Sequence, residues 1–273
     1  MTPRLLLSNA DKRDLITYAA KARLSRALGR RPHQVNGYRR SAASEHLGAL
    51  SRDEVAEITA GEVKKVGQDY IQRSLVMASL GDSPARWPMQ HSAAVTTQAE
   101  LIAHPEIKTI ANIGARVDLV SAYLAPRFAE RQFISVDFQP DLARHNEAAQ
   151  PLANRRFMSG YALDLIASGD LVSDAVVMTS TATLIRPAEW ACYVHAMDRR
   201  GVSLVIINEP YWWDGFAVTY PRAVVQLAGD HGNYHYDFTS ELRHHGYEIT
   251  TSEIERIHGE FYCVWRIVAH KKK

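Results

Sequence analysis

Three residues stand where a bound nucleoside would need them. Gly114 follows the apolar run Thr109-Ile110-Ala111-Asn112-Ile113. A residue without a Cβ there lets the chain turn sharply and lets a ligand reach the backbone of Gly114 and Ala115. Asp137 closes a second run, Gln132-Phe133-Ile134-Ser135-Val136, and lies 23 residues after Gly114. A carboxylate at the end of a second strand can accept hydrogen bonds from both ribose hydroxyls of an adenosine. Tyr161, beyond a weaker third run at Arg156-Phe157-Met158, offers a stacking face for an adenine. Each alone has an ordinary explanation: a turn, a helix cap, a packed ring. Their order and spacing together point to nucleoside binding.

A second set of residues could handle an acceptor. Glu209 ends another apolar run, and it either orients an amine or hydroxyl or caps the loop that follows. Tyr211, Trp212, Trp213 and Phe216 come next. They suit a flat or sugar-like small molecule, and they equally suit packing against the N-terminal helices. Then come His231, Tyr234 and His235, with Asp237 close by. An imidazole near neutrality can act as a general base, and an acceptor hydroxyl needs one to become a good nucleophile. Two histidines at this spacing also permit a metal, but no third ligand stands out, and no metal site is expected.

These residues need a scaffold that gathers strand ends. From about residue 107 the pattern alternates between short apolar runs and helical segments. The runs are 109–113, 132–137, 156–158, 174–178 and 202–207, with helices expected over 117–128, 140–149 and 187–199. Glu248 to Ile257 and Phe261 to Ala269 then read as a hairpin around His258-Gly259-Glu260. The expected fold is α/β: a Rossmann-like, doubly wound, mostly parallel seven-stranded sheet with a C-terminal antiparallel hairpin. Residues 1–96 read as a helical region that caps the site, acts as a lid or forms a homodimer surface, and 97–273 as the binding domain. A capping box at Thr97–Glu100 marks the start of a short helix that Pro105 ends.

Composition narrows the classes. With 46% hydrophobic and 23% charged residues the chain is neither disordered nor fibrous. No run is long enough for a membrane span, and the N-terminal leucine patch is too short for a signal peptide. Cys192 and Cys263 form no framework, so a reducing cytoplasm is expected. Residues 1–40 carry ten Lys/Arg against two Asp, or +8, which leaves −6 for the rest of a chain whose total is +2. That basic segment is a solvated or docking face, or an anion contact; the near-neutral total counts against nucleic acid as the partner.

The cofactor can be narrowed as well. The dinucleotide pattern GxGxxG fails, because Arg116 and Leu119 stand where glycines are wanted, and no GxxxxGK[ST] phosphate loop exists. The segments Ile110–Gly114, Ile134–Phe138 and Asp174–Ser180, with the final strand pair, resemble the class I S-adenosylmethionine-dependent methyltransferases over roughly residues 97–270. A fainter similarity runs to small-molecule and sugar O-methyltransferases around His231–Tyr247. The resemblance implies S-adenosylmethionine as cofactor, held by Asn112, Gly114, Ala115, Asp137, Phe138, Tyr161 and Thr179. It implies a small-molecule methyl acceptor beside Tyr211, Trp212, Trp213 and Tyr234, with His235, His231 and Glu209 as catalytic candidates. The sequence departs from the family at Arg116 and Asp118, where further glycines are usual, at Tyr161 and at Asn112, where acids are usual. Those departures keep a second reading open: a non-catalytic scaffold, or an N-methyltransferase.

Overall fold

Alternation along the central strands sorts their side chains into two layers. In β2 (Thr109–Ile113) Ile110 faces one layer, and Ala111 and Ile113 face the other. β5 (Ala175–Thr179) and β6 (Leu204–Tyr211) divide likewise, with Ala175, Val177, Leu204 and Ile206 on the first side and Val176, Met178, Val205 and Ile207 on the second. Helices cover both sides, which is why these strands read as almost unbroken apolar runs. The computed structural model describes residues 4–6, 88–115, 118–138, 140, 146–148, 151–185, 187–211, 226–228, 233–256 and 263–272.

The first side is covered by α1 (Pro88–Ala103) and α2 (Leu119–Leu124), the latter continued by a 3-10 turn at Ala125–Arg127. The second is covered by α3 (Ala162–Ser168), α4 (Pro187–Arg199) and α5 (Phe238–His244). The remaining strands are β1 (Arg4–Leu6), β3 (Gln132–Asp137), β4 (Arg155–Ser159), β9 (Tyr247–Arg256) and β10 (Cys263–Lys271). The sheet order is β1-β9-β10-β6-β5-β2-β3-β4, with β10 antiparallel to both neighbours and every other pair parallel. The expected seven-stranded sheet and terminal hairpin are therefore present, and β1 adds an edge strand that the sequence did not signal. β7 (Gln226–Ala228) and β8 (Asn233–His235) form a separate antiparallel ribbon. No helix among the described residues is long and apolar enough to cross a membrane. Cys192 and Cys263 are both free thiols.

One helix begins earlier than its sequence suggests. Thr97 does not open α1; it lies within it, and its Oγ1 donates to the Ala93 carbonyl at 2.7 Å. A threonine that bonds back one turn can sit inside a helix, and Pro88 suits a helix start because its missing N–H would go unused there. The boundary expected between residues 96 and 97 therefore falls inside α1. Ala93, Thr97 and Leu101, all fully buried, form the stripe that α1 lays on the sheet.

Part of the segment that looked like acceptor chemistry belongs to the core. Tyr236 and Phe238 are buried, their rings 4.4 Å apart, and Phe238 stands edge-on to Trp190 at 5.8 Å and 5.7 Å from Trp265. The Trp190 indole donates to the Phe238 carbonyl, and the Tyr236 hydroxyl to that of Ile185. Asp237 caps α5 by accepting from the Thr239 N–H at 2.9 Å. Phe238→Ala should remove the ring that three others share. The expected loss is about 3–5 kcal/mol, read as a lower urea midpoint at unchanged slope.

Candidate functional site

The strand order places a switch point between β2 and β5, since the chain leaves β2 toward β3 on one side and returns to β5 on the other. In such sheets ligands bind beyond the carboxyl ends of the strands at that point. Gly114 sits there with φ +68. The N–H groups of Gly114 and Ala115 both donate to the Val136 carbonyl, at 2.9 and 3.0 Å, which ties the turn to β3. A Cβ on Gly114 would stand 2.3 Å from Thr181 Oγ1. Backbone sign and close approach thus both demand glycine.

Thr181 is held in place by Glu209. The buried carboxylate accepts from the N–H groups of Thr181 and Ala182 at 2.8 and 2.9 Å through one oxygen. Through the other it accepts from the Thr183 N–H at 3.2 Å and hydroxyl at 2.8 Å. Burial raises the Glu209 carboxyl above its ordinary value, while the four donors pull it back. Glu209 thus caps the turn Ala182–Leu184, one of the two roles its position allowed, with both carboxylate oxygens occupied by donors of that turn. Beside it Ser180 has φ +53, an uncommon conformation for a residue with a side chain.

The acid that matters in the first loop is Asp118. It caps α2 through the Ser121 N–H at 2.9 Å and accepts from Asn112 Nδ2 at 2.7 Å and from the Ser135 hydroxyl. The same carboxylate takes Arg155 Nη2 at 3.0 Å, with both side chains sealed from water at 1% and 0% exposure. Arg155 also donates to the Asp118 carbonyl at 2.8 Å. Asn112 is thus tied by its amide nitrogen into a buried network. Arg116, the departure that put most in doubt, lies outside the described residues.

Asp137 is buried at the end of β3, and its carbonyl accepts from the Gly160 N–H at 3.0 Å. Phe138 beyond it is exposed at 45%. Tyr161 precedes α3; its hydroxyl donates to Glu189 of α4, and its ring lies 6.5 Å from that of Tyr193. Thr179, Asn208 and Arg266 stand side by side on three adjoining strands. Asn208 donates from Nδ2 to the Met89 carbonyl of α1 at 2.8 Å, yet among the described residues its Oδ1 and the Thr179 hydroxyl are buried with no partner. Buried polar atoms are nearly always paired, so two such oxygens side by side, at the end of β5 and on β6, stand out. Asn208 was invisible in the sequence, since nothing separates it from the apolar run before it.

The acceptor-side residues are only partly placed. β8 carries Tyr234 and His235 in register with Leu227 and Gln226, and it lies against the turn that Glu209 caps. This brings the backbone of His235 to the carboxyl end of the sheet. Tyr211 ends β6 opposite Cys263. Trp212, Trp213 and His231 lie outside the described residues.

No family model matches the sequence, and no curated protein matches it. Solved structures do match in shape. Magnesium protoporphyrin IX methyltransferase from Synechocystis superposes with TM-score 0.56 at 16% identity, over 80% of this chain and 100% of that one. The Burkholderia thailandensis 1,6-didemethyltoxoflavin-N1-methyltransferase gives TM-score 0.56 at 13% identity, over 82% and 92%. Human N-acetylserotonin methyltransferase gives 0.55 at 11%, over 94% and 68%. The chain has the class I methyltransferase fold. In this fold the segments after β2 and β5 meet at Gly114 and Thr181, each fixed by a buried carboxylate.

Two predictions test those supports. Asp118→Ala removes the carboxylate that faces the buried Arg155 guanidinium, and should cost about 3–5 kcal/mol in urea unfolding. Glu209→Gln sets an amide N–H against backbone donors and should cost about 1–3 kcal/mol. Because burial raises the folded-state pKa of Glu209, its contribution to stability is greatest below the usual carboxylate range of about 4.3 and falls as pH climbs through the raised value. The Gln variant should lose that slope, as denaturation across a pH series would reveal.

Proposed function

We propose that the protein is an S-adenosylmethionine-dependent methyltransferase that methylates a hydroxyl of a small molecule. The observation that carries this reading is the switch-point crevice itself, where Gly114 ends β2 and Asp137 ends the neighbouring β3. The fit of the cofactor is supported by the sharp turn at Gly114, with φ +68 just past β2, and by the Thr179 and Asn208 oxygens, which lack partners among the described residues and suit donors such as an ammonium group. The solved neighbours, named for methylating a porphyrin, a toxoflavin precursor and N-acetylserotonin, favour a small-molecule acceptor here as well.

S-adenosylmethionine supplies an electrophilic methyl group on a positively charged sulfur. The chain's part is chiefly to hold donor and acceptor in line. Asp137 accepts the paired ribose hydroxyls, and Tyr161, fixed by Glu189, flanks the adenine. Asn112 and Ala115 line the loop beside Gly114. His235 or His231 takes the proton from the acceptor hydroxyl as the new bond forms, and Tyr211, Trp212, Trp213 and Tyr234 shape the acceptor side. Oxygen is favoured over nitrogen because a hydroxyl needs such a base.

S-adenosylhomocysteine should bind and raise the thermal midpoint, and Asp137→Ala should weaken binding about tenfold or more through loss of charge-assisted hydrogen bonds. Isothermal titration at millimolar ligand without heat or competition would overturn the proposal. With an acceptor in hand, His235→Ala should lower turnover about a hundredfold or more while leaving S-adenosylhomocysteine binding intact, as parallel kinetics and titration would show.

A further inference from the structure

At the opposite end of α1 from the crevice, three metal-binding side chains converge. Glu100 lies in the last turn of α1, His104 follows it, and His270 comes from β10 opposite Leu204 at the start of β6. His270 Nε2 lies 3.0 Å from Glu100 Oε2, and His104 Nε2 lies 3.8 Å from the same oxygen. The two imidazole rings are 4.6 Å apart at 40°, and one ligand atom from each of the three residues falls within 4.8 Å of the others. Side-chain exposures of 21% to 34% leave the cluster open to ions from solvent.

His104 Nδ1 lies 3.1 Å from Glu106 Oε1. A carboxylate only accepts, so the ring nitrogen is the donor at that contact, and Nε2 is the nitrogen turned toward Glu100. An imidazole that donates its far nitrogen to a carboxylate while its near nitrogen meets a metal is a recurrent arrangement in metal sites.

We propose that Glu100, His104 and His270 bind a divalent transition-metal ion, Zn2+ foremost, with Glu106 orienting His104 and water completing the coordination. Two imidazoles and one carboxylate suit zinc and its neighbours in the series, and do not suit Mg2+ or Ca2+, which prefer all-oxygen sites. Bond lengths near 2.1 Å require only side-chain rotation to draw the three ligand atoms together. The ion would clamp the end of α1 to the last strand.

The test uses the full chain without an affinity tag, stripped with EDTA and desalted. Calorimetric titration with ZnCl2 should give one micromolar-class site per chain, and MgCl2 should give no heat. The double variant His104→Gln/His270→Gln should lose that site, and Glu106→Gln should weaken it about tenfold. Co2+ in place of Zn2+ should give visible d–d absorption that the double variant lacks. Absence of Zn2+ binding by the native chain, or equal binding by the double variant, would overturn the proposal. S-adenosylhomocysteine binding by the same double variant should be unchanged, so failure here is distinct from failure of the methyltransferase reading.

Discussion

The ion pair between Asp118 and Arg155 is the constraint on which the site depends. It is sealed from water, and a sealed charge pair is tolerated only when its remaining hydrogen-bonding capacity is met. Here Asn112, Ser135 and the first turn of α2 meet it, so one carboxylate fixes β2, β3, β4 and α2 in a single arrangement. The loop after β2 is pinned at both ends, by Val136 at Gly114 and by this network at Asp118. These anchors hold the end of β2 and the first turn of α2 to the sheet.

The neighbouring loop obeys the same logic with a different acid. Glu209 gathers three N–H groups and a hydroxyl from the turn after β5, and the turn in turn presses Thr181 against Gly114. The cost is visible in Ser180, whose positive φ is the kind of local strain that persists where the surroundings enforce it. Two acids, Asp118 before α2 and Glu209 on β6, thus hold the loops that follow β2 and β5.

Much of the fold was legible because buried parallel strands are apolar throughout and because β9 and β10, close in sequence, pair antiparallel. α4 matched its expected bounds because Pro187 suits a helix start. α1 was misjudged at its start because Thr97 looks identical as a cap and as a back-bonded interior residue until its neighbours are known. α3 was too short, and β1, β7 and β8 too brief, to leave a periodic signal. Gly114 and Asp137 were readable as strand ends, since the apolar runs before them are β2 and β3. The roles of Glu209, Asp237 and Asp118 were not, because an acid that caps a turn and an acid that meets a substrate have the same letter. What separates them is whether N–H groups already occupy the oxygens. Asn208 was hidden for the converse reason: what sets it apart is an oxygen with no partner among the described residues.

α1 joins the two ends of the sheet in one rigid span. Its first turn gives the Met89 carbonyl to Asn208 beside the crevice, and its last brings Glu100 to His270. At 16 residues it is about 24 Å long, and each added residue would swing one end by about 100° relative to the other. Its length therefore acts as a ruler cut to whole residues. Evolution can repaint the outer face of this helix freely, but an insertion or deletion within it would break register with both edges of the molecule at once.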